Sequence, residues 1–383
     1  MEKQGLNSFT VSQRLFPLDA LRGLIIILMA LDHANFFVAQ QHSSGEYWGG
    51  LFPAYTAALP FLTRFVTHIC APGFFFLLGA GMILFKNSRL QMGWDKGDFF
   101  KHFILRGGIL ILLQFSIVNH FWGLSAGGWP IEIYIGVLFA LGGAMIIGSF
   151  LIWLRPRTLL LITIALLILT EVLAPDPAIW GQFQSFDWNQ TLELLLLTPG
   201  GTGAVWSNYP ILPWIEFVTF GMVFGYLLLD YGERSYSLAL TMGAAFLAAF
   251  VIIRASDGFG NIRPMLGDSW IDFLNVVKYP PSISFTFLTL GLNLLLLGGL
   301  ARINKGWQKF LSPLVVFGRS PLFFYVLHLF VYALIGASFT PSGTSLGNMF
   351  FFWIAGLLLL YPLCLWYGRL KQRQSTGSIL RLF

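Results

Sequence analysis

The chain has 383 residues, 56% of them hydrophobic, 17% aromatic and only 10% charged, with a mean hydropathy of +0.73. Soluble domains carry about a quarter charged residues, so a soluble enzyme is excluded, and the aromatic content excludes a disordered or fibrous chain. The formal net charge of +6 invites a nucleic-acid partner, but the basic residues sit where membrane topology demands them and no nucleic acid is expected.

A bilayer is crossed by about 20 apolar residues in a helix. Ten such runs follow one another, at about 18–38, 66–85, 104–120, 131–153, 158–174, 211–229, 237–253, 283–301, 314–338 and 348–368. None shows the polar–apolar alternation of a barrel strand. The predicted fold class is all-α integral membrane, a polytopic bundle of about ten transmembrane helices. Residues 1–383 read as a single transmembrane domain with short cytoplasmic tails, 1–15 and 369–383.

With the N-terminus in the cytoplasm, all but four of the 23 Lys and Arg fall on the cytoplasmic side, as the positive-inside bias requires. The exceptions are Arg64, Arg254, Arg263 and Lys278. The topology predicted is N-in and C-in. The first apolar stretch carries Asp19, Arg22, Asp32 and His33, so it reads as a retained span rather than a cleaved signal peptide. A basic C-terminal tail without an organelle signal points to a plasma or bacterial inner membrane. Cys70 and Cys364 fall at opposite membrane levels, too far apart for a disulfide. The outer segments, near 39–65, 175–210 and 254–282, are rich in Trp, Tyr, Pro and Gly. They read as interfacial aromatics or as a platform for an acceptor.

Ionisable groups inside spans are costly and mark function by default. Arg22 and His33 stand eleven positions apart, about 1100° of helix and so nearly three full turns, with a rise of roughly 16 Å. One helix stripe therefore presents an anion anchor inside and a titratable ring further out. Asp19 is placed as an ion-pair partner of Arg22, while Asp32 points about 100° away from His33 and is free to orient another residue. His68 opens the second span, His120 closes the third, and His328 lies in the ninth with Tyr325 one turn earlier. With Glu132, these predict a convergent polar site at the middle-to-outer level. No HxxxH or HExxH spacing occurs, so no metal is expected.

On the inner side, Arg14, Arg22, Arg302, Lys305, Lys309 and Arg319 flank span ends. Ser320-Pro321 reads as a helix N-cap followed by proline, and such a start beside Arg319 suits phosphate. No GxxxxGK[ST], kinase-like loop or GxSxG elbow is present. LGAG reads as helix packing, and GGTGAVWSNYPILPW as the most irregular stretch and a candidate re-entrant loop.

The stretches RLFPLDALRG, THICAPGFFFLLGAG, YPILPWIEFVTFGMVFG, KYPPSISFTFLTLG and GRSPLFFYVLH resemble a bacterial membrane family grouped with heparan-α-glucosaminide N-acetyltransferases. Arg22 and His33 also meet the Arg-x(10)-His motif of wider transmembrane acyltransferases. The resemblance implies acetyl-CoA, or another acyl-CoA, as a cytoplasmic donor to an external glycan or small-molecule acceptor. It implies Arg22, with Arg14 and Arg319, on the CoA side, and a catalytic set of His33, Asp32, His68 and His328. In the lysosomal acetyltransferases the essential histidine comes from the loop after the first span, where this chain has His42. His68 stands where that family has an acidic residue. The lipid bilayer is the other partner, and a homodimer is left open. Direct transfer and a covalent acyl-histidine both fit. The rival readings are a proton-coupled transporter using Arg22, Asp32, His33, Glu132 and His328 as a relay, and a structural scaffold.

Overall fold

The computed structural model describes residues 15–43, 46, 53–124, 132–174, 188–201 and 205–374, with 188–190 as backbone alone. In chain order the helices are α1 (Phe16–Ala34), α2 (Ala58–Phe65), α3 (Cys70–Leu90), α4 (Lys96–Leu113), α5 (Asn119–Gly123), α6 (Val137–Leu151), α7 (Pro156–Val172) and α8 (Trp188–Leu196). They continue with α9 (Ile211–Tyr231), α10 (Arg234–Ser256), α11 (Trp270–Leu274), α12 (Ile283–Ala301), α13 (Lys305–Phe310), α14 (Ser312–Gly318), α15 (Pro321–Phe339) and α16 (Leu346–Arg373).

The protein is an all-α polytopic membrane protein. Among the described residues, eight helical segments are long and apolar enough to cross a membrane. They are Phe16–Ala39, Ala58–Leu90, Lys96–Gly123, Ile211–Tyr231, Arg234–Ser256, Ile283–Ala301, Pro321–Phe339 and Leu346–Arg373. The other two predicted spans form helices too, but α6 has 15 residues and α7 has 17. The fourth span loses its start because Ile133–Ile135 is drawn into a strand and Gly136 is extended. The fifth begins at Pro156, where a missing N–H is tolerated only in the first turn.

Two further boundaries differ from expectation. The second span runs from Ala58 through a tight 3₁₀ turn at Val66–Ile69 into α3. The ninth is broken into α14 and α15 at Arg319-Ser320, because Pro321 cannot donate the hydrogen bond that would continue the helix. Ser320 takes the N-cap position, yet its hydroxyl donates back to Val316 O (3.3 Å) rather than capping α15.

The GGTGAVWSNYPILPW stretch builds β2 (Gly200–Gly201) and β3 (Val205–Ser207), and β3 also pairs in parallel with β1 (Ile133–Ile135). The core is packed most extensively between α3 and α9, α10 and α12, α4 and α6, α7 and α9, and α1 and α14. Close approach of α3 and α9 requires glycine: a Cβ on Gly79 would overlap Val218 O, and one on Gly221 would overlap Phe76 O. Within the LGAG run Gly79 is thus a packing position, while Leu78 and Gly81 line a cavity. Cys70 and Cys364 are both free and buried.

Candidate active site between a basic cavity and a buried ion network

The site is organised along α1. Its last α-helical turn passes into a π-helical turn, Asn35–Ala39, and the chain reverses at Gln40 in the left-handed conformation (φ 58°). The Gln40 side-chain amide holds that reversal against the end of α15 by donating to Thr340 O (3.2 Å) and Pro341 O (3.3 Å). This turn returns His42 to α1, with Nε2 3.3 Å from Asp32 Oδ1.

Asp32 anchors an ion network. Its Oδ1 accepts from Arg64 Nη1 at 2.6 Å and from Thr67 Oγ1 at 2.8 Å. Arg64 Nε donates to Glu46 Oε1 at 2.6 Å, and Nη2 donates to Glu46 Oε2. Arg64 is 3% exposed and Glu46 1%, so both charges are removed from water and each depends on the other to offset its desolvation. Burial pushes the Glu46 carboxyl up, but the Arg64 guanidinium outweighs it and holds the group at about 2. The Lys278 and Tyr279 backbone N–H groups donate to Glu46 O at 3.3 and 3.2 Å. His68 lies behind this pair, its Nε2 3.8 Å from Glu46 Oε1.

A carboxylate only accepts, so His42 Nε2 carries the hydrogen that faces Asp32, and in the neutral ring the lone pair stands on Nδ1. That Nδ1 is buried and meets no hydrogen-bond partner among the described residues. An acid-held imidazole with one bare nitrogen is a base oriented for use.

His33 faces the other way. Its Nδ1 lies 2.6 Å from His328 Nε2, and the two rings lie end to end and nearly coplanar, 23° between their planes with centroids 4.9 Å apart. Trp122 meets the His33 ring edge-on at 5.3 Å. His328 is fully buried, and Tyr325, one turn before it on α15, packs edge-on against its ring at 5.5 Å.

Tyr325 also lines a cavity of about 370 Å³ between α1, α3, α4, α6, α15 and α16. Four cations, Arg22, Arg106, Arg319 and Lys371, stand on it with one carboxylate, Asp19. Asp19 joins two of them: Arg22 Nη1 donates to Oδ1 (3.1 Å) and Arg319 Nε to Oδ2 (3.3 Å). The remaining wall, including Phe74, Leu77, Leu110 and Leu138, is apolar. Along α15 the cavity passes from Arg319 to Tyr325, and His328 lies one turn further on. That lining suits a ligand with an anionic head and an apolar portion.

The predicted residues divide accordingly. Arg22 and Arg319 meet on the basic cavity, while Arg14 lies outside the described residues. His33 and His328 form one pair, and Asp32 belongs to the ion network. His68 joins Glu46 rather than the histidine pair, because the 3₁₀ turn at Val66–Ile69 aims it there. His120 and Glu132 are exposed and belong to neither group. The sequence reading left out Glu46, and Arg106 and Lys371 as cavity residues. Arg64 and Lys278 had a usable signal, since both break the positive-inside pattern. Among the described residues no cluster of three His, Cys, Asp or Glu forms a metal-binding group.

Fold and site together define a multi-pass membrane protein with a basic pocket on one side of a histidine pair and a buried acid–histidine network on the other. Residues 14–256 match the family model described as heparan-alpha-glucosaminide N-acetyltransferase, catalytic. The chain belongs to that family, and its function is of the membrane acetyltransferase type. No individual curated protein matches the chain. The matched region contains Asp32, His33, His42, Glu46, Arg64 and His68; His328 and Arg319 lie beyond it.

Proposed function

We propose that the protein transfers an acetyl or other short acyl group from cytoplasmic acyl-CoA to a sugar or glycan hydroxyl or amine on the external face of a bacterial inner membrane. The observation that carries this reading is the cavity, whose four cations sit a few turns below the His33–His328 pair. Arg22, Arg106, Arg319 and Lys371 hold the donor phosphates, as helix ends and guanidinium groups do elsewhere. The pantetheine arm lies along the apolar wall, and the thioester reaches the histidine pair.

Two histidines with bare nitrogens assign two half-reactions. His33 Nε2 attacks the thioester carbonyl, so that an N–C bond forms and the C–S bond breaks. CoA leaves as thiolate and takes its proton from water at the basic end. The acceptor arrives on the Asp32 side, where His42 Nδ1 removes its proton as it attacks the acyl carbon. The acyl group passes to the acceptor, His33 is regenerated neutral, and His42 returns its proton to the outer solution. Splitting a transfer in this way is the ordinary gain of covalent catalysis.

The test uses the full chain in nanodiscs with radiolabelled acetyl-CoA and no acceptor. Wild type and His42→Ala are expected to retain label, whereas His33→Ala retains none. Acyl-CoA binding without label, with CoA release that appears only when an acceptor is added, points to direct transfer instead. Absence of both acyl-CoA binding and CoA release, with acetyl-CoA and longer chains, refutes the donor site and returns the case to a transporter.

A further inference from the structure

Phe324 O, His328 and His33 form a chain in which chemistry fixes every hydrogen. A carbonyl oxygen only accepts, so His328 Nδ1, 3.0 Å from Phe324 O, carries the hydrogen. His328 is fully buried, with Phe324, Tyr325 and Tyr332 packed around its ring. No carboxylate forms an ion pair with it among the described residues. A neutral imidazole has one N–H, so His328 Nε2 is the acceptor. His33 Nδ1, 2.6 Å away, therefore donates, and the lone pair of His33 stands on Nε2.

We propose that His328 is a positioning residue: it relays the Phe324 carbonyl to His33 and locks His33 in the tautomer whose Nε2 receives the acyl group. The proposal rests on the reading that His33 takes the acyl group. In that step the His33 Nε2–C bond forms, the C–S bond breaks and the thiolate departs. The Nδ1–H of the resulting acyl-imidazolium stays donated to His328 Nε2, so positive charge on the ring meets an acceptor already in place. In unrestrained neutral histidine the hydrogen exchanges between the nitrogens, and a ring with Nε2–H has no lone pair there to attack with. Losing an orienting acceptor behind a catalytic imidazole is known to cost rate through the wrong tautomer, with binding spared.

His328 is placed to do this by sequence features of its own. Pro321 starts α15 at a fixed point, and the side chain falls two turns in. The Gly336–Phe37 contact keeps α15 hard against the end of α1, since a Cβ on Gly336 would overlap Phe37 O. The two rings are thus held at hydrogen-bond distance by backbone packing rather than by a flexible arm.

The experiment is ¹⁵N NMR of full-length, ¹⁵N-histidine-labelled protein in lipid, with His33 signals assigned by difference against His33→Asn. In wild type His33 is expected to show a protonated Nδ1 and a bare Nε2; the reverse pattern overturns the proposal. His328→Leu removes the acceptor, and is expected to leave His33 as a mixture of tautomers. Its single-turnover acyl-labelling rate should fall about 100-fold or more, with the acetyl-CoA Kd within about twofold of wild type. His328→Gln restores an acceptor oxygen and should recover most of that rate. An unchanged His33 spectrum or an unchanged rate in His328→Leu overturns the proposal. Should His328→Leu not fold, the wild-type spectrum and the His328→Gln rate still decide. Wild type that shows the tautomer but never carries label refutes the double-displacement reading, and with it the catalytic half of this one.

Discussion

Asp32 and His33 are adjacent in sequence yet serve opposite sides of the site: Asp32 Oδ1 meets His42 Nε2 at 3.3 Å, while His33 Nδ1 meets His328 Nε2 at 2.6 Å. Adjacent residues on a helix point about 100° apart, so one turn of α1 addresses two separate chemical environments.

The acid–histidine pair gives the first prediction. Asp32→Asn leaves volume and packing nearly unchanged but presents an amide that satisfies either tautomer of His42. Acceptor turnover should fall about 10²–10⁴-fold, the range of general-base assistance, while labelling from acetyl-CoA persists. Comparing acceptor-dependent CoA release with label retention in the same variant checks it.

The basic cavity gives the second. Arg106→Ala removes a charged donor from the wall, and charged hydrogen bonds contribute about 1.5–3 kcal/mol. Acetyl-CoA affinity should drop roughly tenfold or more, and the loss should shrink as ionic strength rises. Titration calorimetry at two salt concentrations reads both effects.

Gly81 offers a steric version of the same test. It lines the cavity and a Cβ there would meet nothing within 4 Å. Gly81→Phe should therefore fill the donor path, abolish acetyl-CoA binding and leave the thermal midpoint close to wild type. Gly221→Leu is the contrast, because its Cβ would collide with Phe76 O. That variant should lose several degrees of midpoint or fail to assemble.

The ion network predicts a pH dependence of stability. Arg64 holds the Glu46 carboxyl at about 2, below the ordinary 4.5. A depressed carboxyl stabilises the fold fully above its unfolded value, and that contribution is lost as pH falls towards the folded one. Between about pH 4.5 and 2 the thermal midpoint should decline, and Glu46→Gln should flatten part of that slope. Above pH 5 the variant should already be less stable, since Arg64 keeps its charge in a buried site with one partner neutralised.

The order and type of the helices were legible from composition and span length, because burial in lipid leaves a continuous apolar run as its trace. So was the helix start at Ser320-Pro321, although the ninth span was read straight across it. Arg22 and His33 were legible as a pair because helical periodicity alone places them on one stripe. Arg64 announced itself by carrying a charge on the wrong side of the topology.

What the chain pattern could not supply was the partner of each polar group. His328 is almost 300 positions from His33, and Glu46 reaches Arg64 from a loop with no periodicity of its own. Whether His68 would face His33 or Glu46 depended on a 3₁₀ turn, and whether Arg106 would line a cavity depended on how α4 packs across α3 and α6. Sequence determined that costly polar groups lie within the membrane segments, since their price in lipid is local. Only the tertiary structure decided which of them meet, because a hydrogen bond is settled by tenths of an ångström between helices that the sequence orders but does not position.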